Sequence, residues 1–316
     1  VQVGVMLGLV GALWLQSFTA AIVCFFLLSV QTCLLAPAKR GIIIEYVGVE
    51  KLSRAVGLME MTTITSILVG SFAGAYLFSS FLGAGHDVWA SSMWVAAMLA
   101  VLSVLALGVF QFADRTVAHS EEPFSAGLWV RHFRDVAEVW RERELWRATM
   151  GICFFYGVGG YVSALVPQVA FEHQAGGPQT GAVQGLMLLM VGFGTMSGNL
   201  LAGFFSRRGI EMGLAPIGGL LLAGCLAALS IATPPVAFTW AEMWRSPYIA
   251  LLIGAGYSSG LFLVPLYAFI QQRAGNHRRG RILAGVSLLD SAVGLGAAGL
   301  YWLLATDAML GLSVKT

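Results

Sequence analysis

The chain has 316 residues, 58% of them hydrophobic and only 11% charged, with a net charge of +2 and a mean hydropathy of +0.80. A soluble domain carries about 25% charged residues, so this composition excludes a water-soluble globular protein, and it implies no nucleic-acid partner. Cys24, Cys33, Cys153 and Cys225 are scattered through apolar segments without metal-ligand spacing, so neither a disulfide framework nor a metal site is expected.

A spanning helix needs about 20 mostly apolar residues. Segments of this kind are predicted at 1–16, 18–38, 54–79, 88–112, 148–170, 182–206, 213–232, 247–272 and 282–305. The first is short and starts at once on Val1, with no basic region or cleavage site of a signal peptide. It reads as a chain cut within a membrane domain. Lys39, Arg40, Lys51 and Arg54 follow the second segment, and Arg115, Arg131, Arg134, Arg141, Arg143 and Arg147 follow the fourth. Arg207 and Arg208 follow the sixth, and Arg273, Arg278, Arg279 and Arg281 the eighth. Of the 18 basic residues only Arg245 and Lys315 lie elsewhere, so nine spans place the basic loops on one side. The bias of cytoplasmic loops toward Lys and Arg makes that side the cytoplasm. Trp89, Trp94, Trp240, Trp244 and Trp302 fit an interfacial aromatic belt.

The longest polar stretch, Asp114 to Arg147, divides the chain. Within it Trp129, Phe133, Val136 and Trp140, with Val139 alongside, recur at helical spacing, which predicts an amphipathic helix on the membrane face. The division expected is 1–113 as an N-terminal half, 114–147 as a cytoplasmic linker, and 148–316 as a C-terminal half.

One layout occurs twice. An apolar run with a Pro near its end leads into a charged loop and then to a Gly opening the next run. Twenty positions separate Pro37 from Gly57, and twenty separate Pro265 from Gly285. If each unit joins the fourth and fifth helices of a six-helix half, the chain lacks two spans in front and one behind. That is the parallel-repeat plan of a twelve-helix transporter, here with about nine helices. In this alignment Glu60 stands opposite Leu288, and Asp290 opposite Thr62, so each half keeps one membrane acid at a non-equivalent place.

A charge at a helix centre costs roughly 2.5–3.5 kcal/mol on insertion scales. Asp290 lies nine residues past Arg281, about 13 Å along a helix, with no neighbouring cation in sequence. Glu60 lies about 9 Å past Arg54, in a segment made polar by Thr62, Thr63, Thr65 and Ser66. It is expected either to work there or to pair with a basic residue. Lys39 and Arg40, with Glu45 and Glu50, fit a gate network as well as plain positive-inside anchoring. Gln168, Glu172, Asn199, Gln271 and Gln272 are further polar residues in or beside spans, expected to be structural. No His is followed by Asp five positions later, and HExxH, GxSxG and the phosphate-binding Gly-rich loop are absent. An enzyme is not expected from this segment, and no cofactor is implied.

Three stretches, Pro37-Ala-Lys-Arg-Gly41, Gly57-Leu-Met-Glu60 with Thr62–Ile64, and Val264-Pro-Leu-Tyr-Ala268 followed by Gln271-Gln-Arg273, resemble the major facilitator superfamily and, within it, the bacterial lysophospholipid transporter branch. The run to Arg278-Arg-Gly-Arg-Ile282 is similar to transporter domains fused to glycerolipid acyltransferase and acyl-ligase domains. Gly198 to Gly209 is a degenerate echo of the superfamily's helix-2/helix-3 loop. The resemblance implies an all-α helical bundle that moves lysophospholipid, chiefly lysophosphatidylethanolamine, inward across a bacterial inner membrane for reacylation. It also implies a fused or associated acyltransferase or acyl-ligase as partner. An exporter of drugs or metabolites with the same fold, and a non-transporting scaffold that delivers lipid to an attached acyltransferase, are the alternatives. Lys39, Arg40, Glu45, Glu60, Thr62, Arg273 and Asp290 are the expected gate and headgroup-path residues.

Overall fold

The computed structural model describes residues 1–112, 136–173, 180–206, 209–232 and 245–305. Within the described residues all regular structure is helical, as it must be where no water is available to satisfy backbone N–H and C=O groups. In chain order the helices are α1 (Gln2–Trp14), α2 (Phe18–Gly41), α3 (Ile43–Val47), α4 (Leu52–Gly83) and α5 (Val88–Phe110). They continue as α6 (Arg143–His173), α7 (Thr180–Phe205), α8 (Leu214–Ile231), α9 (Pro247–Arg273) and α10 (Gly275–Ala305). Eight segments among the described residues are long and apolar enough to cross a membrane, and α1 is a shorter apolar helix. The nine expected segments all fall on these helices. The protein is a multi-pass membrane protein.

Two local features depart from the sequence reading. The second span, expected at 18–38, runs on three residues further to Gly41, with Pro37 inside the helix. Proline removes one backbone N–H, a loss that spanning helices tolerate when neighbours re-satisfy the freed carbonyl. The loop that follows also contains the short helix α3, ended by Gly48 at φ 69°. The charged loop after α9 has no such insert: Gly275, at φ 62°, turns the chain at once from α9 into α10. Of the expected linker helix, residues 136–141 are helical and lead into α6. Trp129, Phe133 and the remainder of 113–135 lie outside the described residues, as do Arg207, Arg208, Trp240, Trp244 and Lys315.

Contacts divide the chain into two compact units, residues 1–39 with 66–118, and residues 40–65 with 119–316. In the first, α1 packs on α5, and Leu9, Ala12, Leu13, Ala21 and Ala96 form a small apolar core. Asp87 starts α5 as its N-cap, accepting from the Ala90 N–H at 2.8 Å.

In the second unit α9 is the central helix, packed on α6, α7 and α8, while α10 packs on α6. Glycine makes the α7–α9 contact possible. A Cβ on Gly194 or Gly198 would overlap the backbone carbonyls of Ile253 or Tyr257, and one on Gly256 would overlap that of Val191. Backbone-to-backbone approach of this kind is how spanning helices gain packing where lipid supplies no hydrophobic drive. At Gly57 the start of α4 meets α7 in the same way, with a Cβ position 2.5 Å from the Asn199 carbonyl oxygen. Leu52, Val56, Ile152, Val264, Tyr267 and Ile282 belong to the core that these helices enclose.

Candidate functional site

Because α2 continues past Pro37, Arg40 is carried on its last turn rather than on a free loop. Its guanidinium is largely enclosed, with the side chain 16% exposed, and its partners come from four other helices. Nη2 donates to the Tyr156 hydroxyl of α6 at 3.2 Å, and Nη1 reaches Ser287 Oγ of α10 at 3.5 Å. The guanidinium carbon lies 4.2 Å from the centre of the Tyr267 ring of α9, within cation–π range. Glu60 of α4 faces it at 3.6 Å.

Asp290, on α10, is 4% exposed. The Tyr267 hydroxyl lies 3.2 Å from its Oδ2 and also 3.2 Å from the Tyr156 hydroxyl. A phenol has one proton to donate. With that proton on Asp290, Tyr156 donates to the Tyr267 oxygen while accepting from Arg40. A chain of two phenols thus links Arg40 to Asp290, and Ser291 Oγ completes the carboxylate's partners at 3.2 Å from Oδ1.

A second junction lies where the two charged loops meet. Arg279, 4% exposed, donates through Nε to the Gln271 carbonyl at 3.2 Å and reaches the Gly41 carbonyl at 3.5 Å. Its Nη1 pairs with Glu45 at 3.6 Å. One arginine therefore serves the C-terminal ends of both α2 and α9, where free carbonyls and the helix dipole favour a cation. Around it the basic loop is covered by acids preceding and opening α6. Arg278 pairs with Glu142 at 2.9 Å and Glu138 at 3.2 Å, and Arg273 pairs with Glu144 at 3.1 Å. These outer pairs are exposed, and exposed pairs contribute about 0–1 kcal/mol. Arg279→Met is therefore expected to lower the apparent melting temperature in detergent more than Arg278→Met. The enclosed hydrogen bonds of Arg279 to charged or polar groups are each worth about 1.5–3 kcal/mol.

Of the seven residues expected at the gate or path, Arg40 pairs with Glu60 and is linked to Asp290 through Tyr267. Glu45 joins the Arg279 junction instead. Arg273 is at the surface with Glu144, and Thr62 turns its hydroxyl back to the Met59 carbonyl at 2.9 Å. Lys39 is exposed and belongs to the first unit. The basic partner of Glu60 is Arg40, not the nearer Arg54. Among the other polar residues, Gln168 accepts from Tyr301, whose ring packs edge-on against Tyr161. Asn199 and Gln271 are fully enclosed, and Gln272 is exposed. Tyr156, Tyr267 and Ser287 were not singled out as site residues by sequence reasoning. The available signal was Tyr267 two positions after Pro265, the place that Lys39 holds after Pro37. No group of three or more metal-ligating side chains occurs among the described residues.

The sequence profile of the Major Facilitator Superfamily matches residues 2–299. The chain is similar to proteins named lysophospholipid transporter LplT. It is 29% identical to that of Serratia proteamaculans over 279 residues, 88% of this chain and 65% of the relative. It is 29% identical to that of Pectobacterium carotovorum over 293 residues, 92% of this chain and 66% of the relative. For that of Yersinia enterocolitica the figures are 28% over 279 residues, 88% and 64%. The chain thus spans a little under two-thirds of the length of these relatives. No solved structure matches it significantly.

Proposed function

The chain belongs to the Major Facilitator Superfamily, and from that we propose that it is the transport domain of a secondary transporter that moves lysophospholipid inward by alternating access. The substrate assignment rests on one observation, the similarity over 88% of the chain to proteins named for lysophospholipid transport. A lysophosphatidylethanolamine-like lipid suits the chemistry. Its acyl chain can ride the apolar helix surfaces, while its zwitterionic headgroup needs polar partners within the membrane. The enclosed set around Arg40 has the makings of a gate at such a path. Arg40 and Glu60 belong to the half assigned to residues 1–113, and Tyr156, Tyr267 and Asp290 to the half 148–316. Separating the halves would break every one of Arg40's contacts with the second. With the basic loops cytoplasmic and the membrane a bacterial inner membrane, this gate stands on the cytoplasmic side. Lipid delivered there would meet a reacylating enzyme, fused or associated.

The test uses the full-length parent protein in proteoliposomes, with a fluorescent lysophosphatidylethanolamine whose outer-leaflet fraction is quenched. Inward movement is expected, and Glu60→Ala and Asp290→Ala are each expected to slow it about tenfold, equivalent to about 1.4 kcal/mol. Unchanged uptake in both variants removes the two acids from the mechanism. Competition by small amphipathic cations and not by lysolipids would favour an exporter of the same fold. Absence of any lipid movement would favour a scaffold.

A further inference from the structure

The segment leading into α6 has its acids paired and its bases left over. Glu138 and Glu142 are held by Arg278, Glu138 also faces Arg281 at 3.9 Å, and Glu144 is held by Arg273. Arg141, Arg143 and Arg147 of the same segment are exposed and make no ion pair among the described residues. The loop between α9 and α10 thus turns the start of α6 into a net positive surface.

Two of these arginines share a face with the outside of the span. At 3.6 residues per turn, Arg143, Arg147, Met150 and Phe154 fall within about 60° of one another, and all four are exposed. Leu145, Ala148 and Ile152 lie on the opposite side, buried in the core. Met150 and Phe154 stand in a helix long and apolar enough to cross a membrane, so their stripe faces acyl chains. Arg147 lies about 10 Å and Arg143 about 16 Å back along the helix from Phe154. Their long stems carry the guanidinium groups to the level of the headgroups. The chain bends at Glu142, and Trp140, 63% exposed, sets its ring 4.1 Å from that of Trp146. Indoles concentrate at this membrane–water boundary.

We propose that this face binds one anionic diacyl phospholipid. Arg143 and Arg147 take its phosphate, Trp140 and Trp146 border the glycerol level, and the acyl chains lie along Met150 and Phe154. Guanidinium groups pair bidentately with phosphate oxygens, and a net positive cluster selects a headgroup without an ammonium. An acidic protein would match the charge but not the apolar stripe that continues from it. A soluble anion would match the arginines but gain nothing from Met150 and Phe154. The site is distinct from the Arg40 cluster, since Tyr156 lies on the opposite side of α6. It holds whether or not the protein moves lysolipid.

The test is native mass spectrometry of the full-length protein in detergent, given equal amounts of phosphatidylglycerol and phosphatidylcholine with the same acyl chains. Bound phosphatidylglycerol is expected to exceed phosphatidylcholine about tenfold or more, and the excess to shrink as salt rises. Arg143→Gln and Arg147→Gln are each expected to lower the ratio about fivefold, the usual contribution of one basic residue at an anionic surface. Arg245→Gln removes the same charge at the other end of α9, about 40 Å from Arg273 along that helix, and should leave the ratio unchanged. Equal binding of the two lipids, a ratio that both arginine variants keep, or an equal drop in all three variants overturns the proposal. So does release of the lipid by inorganic phosphate but not by chloride at equal ionic strength, which would assign the arginines to a soluble anion. The wild-type ratio decides even if a variant fails to fold.

Discussion

Arg40→Met is expected to destabilise the protein by about 3–5 kcal/mol, the usual effect of removing one partner from an enclosed ion pair. The side chain is similar in length, so the loss would come from stranded charge and not from a cavity. Glu60 would keep no cation, and the phenol chain through Tyr156 would lose its donor. The check is a melting curve of the purified protein in detergent, run with a rescue series. Adding Glu60→Gln or Asp290→Asn alone should recover part of the loss, and adding both should recover most of it. A neutral core of matched shape can be as stable as a paired one. If all four proteins melt alike, Arg40 makes no net electrostatic contribution to this fold.

The second large effect is steric. Gly256→Val is expected to destabilise the α7–α9 contact by about 3 kcal/mol, at the upper end for overpacking. Its Cβ would overlap the Val191 carbonyl, and backbone cannot move aside as a side-chain end can. Gly224→Ala on α8 is the matched control, since a Cβ there meets nothing within 4 Å. It should be neutral or stabilising by up to about 1 kcal/mol, because Ala is the better helix residue. The pair of melting temperatures separates close packing from a general sensitivity of helical glycines.

Much of the fold was legible in advance. Each spanning helix satisfies its own backbone and is set by a local run of apolar residues, so nine segments could be counted from composition alone. Ends were harder. The run to Gly41 through Pro37 and the short helix Ile43–Val47 both depend on neighbours that a one-dimensional reading does not contain. The basic loop at 273–281 illustrates the same limit. Its charges predict a side of the membrane, but not that Glu138, Glu142 and Glu144 neutralise its outer arginines while Arg279 turns inward to the ends of two helices.

The candidate site was legible only in part, and the division has a physical cause. An acid inside an apolar run is conspicuous because the membrane penalises it, and Glu60 and Asp290 stood out on that ground. Their partners did not, since Tyr156 and Tyr267 are ordinary residues of apolar helices until packing brings their hydroxyls within 3.2 Å of each other. Arg40 and Ser287 are 247 positions apart in the chain. By itself, then, the sequence determined the apolar segments and the residues whose charge needs compensation, both consequences of local hydropathy. Which helices supply that compensation was decided by tertiary packing alone, because side chains of α4, α6, α9 and α10, far apart in the chain, meet around one guanidinium only when those helices pack together.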